Sequence, residues 1–162
     1  MAVGWRQMEV SDLRRVGAIA DVVHREFPEP PEVFANRLAL YRAGCRVHRE
    51  RGKIVGYFLS HPWVRENPPE LGELLSTLPA RPDCLYLHDI AILPEARAGG
   101  HGAAALAHCL DLARTEKLPC IELVAVGGAD SYWRTQGFAS VPNRQAEAYG
   151  AGSCLMRRPV AQ

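Results

Sequence analysis

Arg97, Gly100 and Gly102 have the types and spacing that point most directly to chemistry; they lie in the stretch ILPEARAGGHGAAAL, residues 92–106. An apolar run stops at Pro94, charges and three glycines follow, and an alanine-rich run begins. A strand giving way to a helix at such a join presents unpaired amides and a partial positive charge, which favour an anion. Glycines let the backbone approach a phosphate with no Cβ in the way, and Arg97 adds a charged donor. Two other phosphate loops fail on spacing. A P-loop requires Lys and then Ser or Thr after the last glycine, where this chain has Ala103-Ala104. A dinucleotide-binding turn requires G-x-G-x-x-G near the chain start and an acidic residue about twenty positions later. A glycine turn with no ligand is also compatible with the hexapeptide on its own.

The elements that position this join follow from the rest of the chain. Its 162 residues fit one domain, expected to span 1–162, and no repeat, low-complexity tract or linker divides it. Nineteen basic against eighteen acidic residues leave a net charge of +1, which gives no global case for nucleic acid or an anionic membrane. The start, MAVGWRQMEVSDLRR, has no apolar signal region, and no apolar run is long enough to span a bilayer. Cysteines 45, 84, 109, 120 and 154 are scattered and form no CxxC pair, which fits reduced core residues in a cytoplasmic protein.

Trp5–Met8 reads as a first strand, followed by a helix capped by Ser11 and running to Phe27. PEPP (28–31) breaks it, and a second helix runs from Pro31 to about Tyr41. Residues 45–60 read as a hairpin turning at Arg51-Gly52. His61-Pro62-Trp63 then opens a proline-rich connection with a short helical pattern at Leu71, Leu74, Leu75 and Leu78, placed where a lid over a substrate would lie. Cys84–Leu93 is the strongest strand, and the helix after the glycines carries a stripe of Ala103, Leu106, Ala107, Leu110 and Ala113. Strand 121–126, helix 129–136 and strands 138–141 and 153–157 complete a mixed α/β layer of order β-α-α-β-β-β-α-β-α-β-β.

LHDIAILPEARAGGHGAAAL resembles the signature of the GNAT superfamily of acyl-CoA-dependent N-acyltransferases, with Arg97, Gly100 and Gly102 at the places of R/Q-x-x-G-x-G/A. About thirty residues on, that family has a short helix with an aromatic residue, ending in Gly-Phe; here it is SYWRTQGF, with Gly137-Phe138. The element order agrees with that fold, so the likeness covers nearly the whole chain. It implies a GNAT-like single domain and acetyl-CoA as co-substrate. The pyrophosphate is then expected on Arg97, Ala98, Gly99, Gly100, His101, Gly102 and Ala103. The pantetheine arm is expected along Ile90, Ala91 and Ile92, where that strand splays from 121–126, with Trp133 also lining the donor site. Family members are often dimers, so the resemblance leaves room for a homodimer, with no interface located.

An alkylamine is protonated at pH 7, so acetylation needs a base, and an acid assists the departing thiolate. Tyr86-Leu87-His88 is similar to the His-x-His of arylalkylamine (serotonin) N-acetyltransferases: His88 matches the second histidine and Tyr86 replaces the first. His88 is therefore the candidate base, against a reading as a satisfied histidine inside the sheet. Asp89 is a second catalytic candidate. A regular strand turns it to the opposite face, towards an ion pair or cap, and only a bulge would re-aim it. The family's tyrosine lies four residues before the Gly of Gly-Phe, a place held here by Trp133, which leaves Tyr132 as the candidate acid. Phe27, Phe34 and Tyr41 are expected either to line the acceptor side or to be core. His24, His48, His101 and His108 are read as surface or core residues, and no short ligand spacing among His61, Cys84, His88 and Asp89 supports a metal. The expected activity is transfer of acetyl from acetyl-CoA to a primary amine of a small molecule, without metal. The alternatives are a non-catalytic acyl-CoA-binding sensor and a peptide or protein acetyltransferase.

Overall fold

The computed structural model describes residues 4–161; the ends of the expected 1–162 domain, residues 1–3 and 162, lie outside the described residues. The described strands are β1 (Gly4–Gln7), β2 (Cys45–Glu50), β3 (Lys53–Trp63), β4 (Cys84–Ile92), β5 (Cys120–Ala125), β6 (Ala139–Val141) and β7 (Cys154–Pro159). They form one sheet in the order β1-β2-β3-β4-β5-β7-β6. The helices are α1 (Leu13–Val23), α2 (Pro31–Leu40), α3 (His101–Thr115), α4 (Asp130–Thr135) and the short α5 (Arg144–Glu147), which sequence periodicity does not reveal. No helix among the described residues is long and apolar enough to cross a membrane.

Helices cover both faces of the sheet. On one face Val16 and Ile19 of α1 and Phe34 and Leu38 of α2 pack on Val47, Tyr57, Leu59 and Ala91. On the other, Ala105, Leu106, Cys109 and Ala113 of α3 pack on Phe58, Leu85, Leu87, Ile121 and Leu123. Burying a side chain such as Leu106 contributes about 1.5–3 kcal/mol. The buried stripe is thus rotated from the expected one, because Ala103 and Ala107 are exposed. An alanine carries little information about which face is inward, and Leu106 with Cys109 decides it.

Three further expectations are corrected. α1 stops at Val23 rather than Phe27; the His24 amide caps it on Ala20 O, and a turn then closes from the Phe27 amide to His24 O. Pro28 and Pro30 disfavour helix in the residues before them. At its other end the cap is not Ser11: Asp12 accepts the Glu9 amide at 2.8 Å and pairs with Arg6 at 2.8 Å. His61-Pro62-Trp63 is not a lid. β3 runs on to Trp63, pairing those residues with Tyr86, Leu85 and Cys84. Beyond Leu59 it has outrun its β2 partner, where a proline is tolerated. The leucines of 71–78 form no helix. Prolines 68, 69 and 79 bracket that stretch closely, and Leu75 is pinned instead by Asn36, which bonds both its carbonyl (2.9 Å) and its amide (3.0 Å).

Two irregularities in the sheet create the site. β4 and β5 are parallel but pair only at Leu85↔Ile121 and Tyr86↔Glu122, and then splay apart. The β3–β4 register also shifts: Leu59 faces Asp89 and Ser60 faces Leu87, so His88 is an extra residue on β4. Such a bulge reverses the strand's alternation.

Candidate active site

The splay opens a cleft of about 780 Å3, within the range of small-molecule sites, of roughly 300–1,000 Å3. Leu87–Ile92 of β4 and Leu123–Val126 of β5 and its exit form its two walls. Beyond the last β4–β5 pair these facing edges have no partner in each other, so they present backbone donors and acceptors to whatever enters.

At the mouth of the cleft stands the glycine join. Pro94–Gly99 forms a tight turn, Gly100 adopts a left-handed conformation with φ of 70°, and α3 begins at His101. Ala104 is the first helical residue whose amide is bonded, to Gly100 O, which leaves the amides of 101–103 facing outward at the helix end. Arg97 and Gly102 line the cleft, with Ala98, Gly99, Gly100 and Ala103 completing the loop around them. Arg97 Nε is held by Ile92 O at 2.9 Å, and the rest of its guanidinium is free to meet an anion. The donor set therefore fits a pyrophosphate. The His101 side chain faces away from the cleft, against Glu50 at 2.8 Å.

The catalytic candidates gather further along β4. Because of the bulge, Asp89 shares the α1/α2 side with His88 instead of turning from it, as alternation alone predicts. His88 Nε2 lies 2.8 Å from Glu29 Oε1; its Nδ1 is buried and has no hydrogen-bond partner. Burial works against the charge of Glu29, but His88 and the Gly72 amide, at 2.8 Å, hold its carboxyl below the usual carboxylate range. Asp89 accepts from the Tyr57 hydroxyl and lies 2.7 Å from His24 Nε2. Burial likewise opposes the Asp89 charge, yet His24 and Tyr57 keep its pKa low. In return, and against burial, Asp89 and the Ile90 carbonyl raise the pKa of His24. The ion-pair reading of Asp89 and the bulge are thus both present.

Tyr132 is partly exposed, and its hydroxyl lies against Gly102, at the phosphate-loop end of the cleft. Burial lifts its pKa. Trp133 is buried on Phe138, with ring centroids 5.3 Å apart, and forms part of the cleft wall. Ile90 and Ile92 are half-buried on the walls, and Ala91 is buried under α1 and α2. Of the aromatics, Phe27 lines the cleft and Phe34 is core against Tyr57, while Tyr41 is not part of the lining. His61 is buried between Trp63 and Tyr86, and burial lowers its pKa to about 3, so it is neutral.

Sequence reasoning missed Glu29, His24 and Tyr149, the last of which also lines the cleft. Glu29 sits between Pro28 and Pro30, two residues that hold the chain extended; an ionisable residue fixed there was the available signal. His24 carried none, since its role depends on where α1 ends.

The acetyltransferase (GNAT) family model matches residues 10–138. A comparison with curated proteins finds no match. Among solved structures, the N-acetylglutamate synthase of Neisseria gonorrhoeae, complexed with coenzyme A and N-acetyl-glutamate, superposes with a TM-score of 0.76 at 17% identity. All of this chain is covered, but only 36% of the synthase. The ribosomal-protein-S18-alanine N-acetyltransferase of Escherichia coli gives 0.73 at 19% identity, covering 99% of this chain and 96% of that one. A GNAT-like decarboxylase, GphF, in complex with isobutyryl-CoA gives 0.80 at 14% identity, covering 97% and 99%. At these identities the superpositions establish the fold alone. The family match rests on the sequence itself, over the segment that carries the cleft, the glycine join and Gly137-Phe138: the chain belongs to the GNAT acetyltransferase family.

Proposed function

We propose that the chain transfers acetyl from acetyl-CoA to a primary amine of a small molecule, by direct attack with both substrates bound. The observation that carries this reading is the pair of carboxylate–imidazole couples, buried Glu29–His88 and partly exposed Asp89–His24, on the wall of a cleft whose mouth is an anion-binding loop. His88 lies four residues before Ile92, about 13 Å along the strand from the loop end. When bound, acetyl-CoA supplies an activated thioester carbonyl. The residues of the chain do the remainder. Amides 101–103 and Arg97 hold the phosphates, and the open edges of β4 and β5 orient the arm between them. The two carboxylates favour a cationic acceptor. The carboxylate of Glu29 fixes the His88 tautomer with hydrogen on Nε2, so the buried Nδ1 keeps the lone pair and receives the amine proton once the acceptor, or a water beside it, is seated against the ring.

Residues 64–83 support a small acceptor over a peptide. Gly72 and Leu71 close over Glu29, and Pro69 O accepts the Tyr149 hydroxyl at the same end, which narrows the acceptor space. A second assignment of the base has its own support. The His24 side chain is 25% exposed and that of His88 only 1%, so His24 is the more accessible imidazole.

The test is turnover of an amine panel with acetyl-CoA, followed by pH profiles of kcat/KM for His88→Gln and His24→Gln. Loss of a general base lowers the rate by about 10²–10⁴ and removes the acidic limb of the profile. That result in His88→Gln upholds the assignment. The same result in His24→Gln alone transfers the role to His24. Tight coenzyme A binding with no amine acetylated supports the sensor reading instead.

A further inference from the structure

Outside the cleft, three metal-ligating side chains converge that acyl transfer leaves unused. His48 and Glu50 alternate on β2 and so project from one face, and His101, the first residue of α3, turns back over them. His101 Nε2 is 2.8 Å from Glu50 Oε1, and His48 Nε2 is 3.6 Å from the same oxygen. The two imidazole centroids are 4.0 Å apart, and one donor atom from each of the three residues lies within 4.8 Å of the others. His48 is 2% exposed, and neither of its ring nitrogens makes a hydrogen bond. A buried imidazole with two idle nitrogens is uncommon, because buried polar groups normally find partners.

We propose that His48, Glu50 and His101 bind one divalent transition-metal ion of the kind that prefers imidazole and carboxylate, with zinc as its representative. Tetrahedral zinc with bonds of about 2.0–2.1 Å places neighbouring donors about 3.3 Å apart. The two separations to Glu50 straddle that value, and the donor atoms of the two imidazoles lie within 4.8 Å of each other, so the ion is accommodated by re-aiming the His101 ring over His48. With no hydrogen bond at either ring nitrogen, His48 keeps a lone pair for an ion without breaking an existing contact. Glu50 and His101 keep partial exposure, giving the ion an entry path and a water as fourth ligand. The ligands sit on paired β2 and on α3 rather than on a loose loop. An ion there ties the first residue of α3, and with it the anion-binding amides, to the β2–β3 hairpin. The competing arrangement is a plain Glu50–His101 ion pair with His48 idle.

Trp5 provides a built-in reporter: its ring lies 5.1 Å from that of His48, and its indole donates to His101 O at 3.3 Å. Metal-stripped protein is titrated with zinc against a chromophoric chelator, with cobalt followed by visible absorption, and with copper followed by tryptophan fluorescence. The expected result is one equivalent of zinc and a cobalt spectrum without thiolate charge transfer. Copper quenching is expected to be lost in His48→Gln. Glu50→Gln and His48→Gln are expected to weaken zinc by roughly tenfold or more, at least the cost of losing a mere outer-shell partner. Absence of saturable uptake at micromolar zinc overturns the proposal. So does uptake unchanged in Glu50→Gln, a surface substitution whose fold is checked by circular dichroism and which decides alone if His48→Gln fails to fold. A thiolate band overturns it as well, because it places the ion on cysteine.

Discussion

Gly102→Ala tests whether the glycine join grips its ligand or merely turns the chain. Two opposing effects act on the fold. Gly102 has ordinary helical backbone in the first turn of α3, so alanine gains up to about 1 kcal/mol of helix propensity. The new Cβ would meet the Tyr132 hydroxyl, the end of a partly exposed side chain that can swing away at a rotamer cost of roughly 0.5–1.5 kcal/mol. Thermal stability should therefore move by no more than about 1 kcal/mol. Binding should respond far more. A methyl group over the outward amides of 101–103 removes one or more hydrogen bonds to a charged group, each worth about 1.5–3 kcal/mol. The Kd for coenzyme A should accordingly rise roughly 10- to 100-fold, at 1.4 kcal/mol per factor of ten. Calorimetric titration with coenzyme A, beside melting curves, separates the two effects. Gly100→Ala is the contrast: open space surrounds it, but φ of 70° costs a non-glycine residue about 1–2 kcal/mol of fold stability. Adding Tyr132→Ala to Gly102→Ala completes the design. If the only fault is the clash with Tyr132, the double variant recovers affinity; if the methyl blocks the ligand, it does not. An unchanged Kd in Gly102→Ala, or full recovery in the double variant, refutes the grip.

Tyr132→Phe should raise the KM for acetyl-CoA more than it lowers kcat, because the hydroxyl lies at Gly102; a kcat loss at constant KM would instead support it as the acid. With a thiol reagent, half-exposed Cys154 should react first, since burial pushes Cys45 and Cys109 up to about 12 and Cys120 up to about 11; several fast thiols would contradict this. Stability should also depend on pH through the two couples. Asp89 and Glu29 have depressed pKa values, so their contributions are present above the unfolded values of 3.8 and 4.5 and vanish as pH falls through the folded ones. His24 is raised, so its contribution is complete below 6.5 and is lost as pH rises through its folded pKa. Melting temperature should peak between those limits, and Asp89→Asn should flatten the profile; an equally sharp profile in the variant would contradict the coupling.

The parts of this architecture legible in sequence are those fixed by local rules. Glycines after an apolar strand mark a helix start wherever they occur, so Arg97 to Gly102 could be placed without knowing the fold. His88 stands out by the likeness of Tyr86-Leu87-His88 to a family motif, and alternation adds only which face of β4 it shares. What alternation could not supply was the bulge, because an extra residue on β4 exists only relative to its partner β3. The side taken by Asp89 was hidden for that reason. In the sequence Glu29 is only part of a helix-breaking PEPP, and its carboxylate gains meaning once the chain brings it to a strand 59 residues away. His24 is the same case from the other direction: it caps α1 only because the following prolines end the helix early, and Asp89 then meets it there. His61-Pro62-Trp63 misled because a proline usually ends a strand, whereas here it sits where β3 has no outer neighbour.

The meagre join between β4 and β5 has a mechanical consequence. Two residue pairs stitch the half-sheet β1–β4 to the half-sheet β5–β7, so the seam has little stiffness of its own. α3 lies across it as a splint, with Leu106 and Cys109 in one cluster with Leu85 and Leu87 on one side and Ile121 and Leu123 on the other. The gap between the walls is then set by how firmly that splint is seated. A cavity cut beneath α3, far from any reacting atom, would register first as a change in the width of the gap and only afterwards as unfolding.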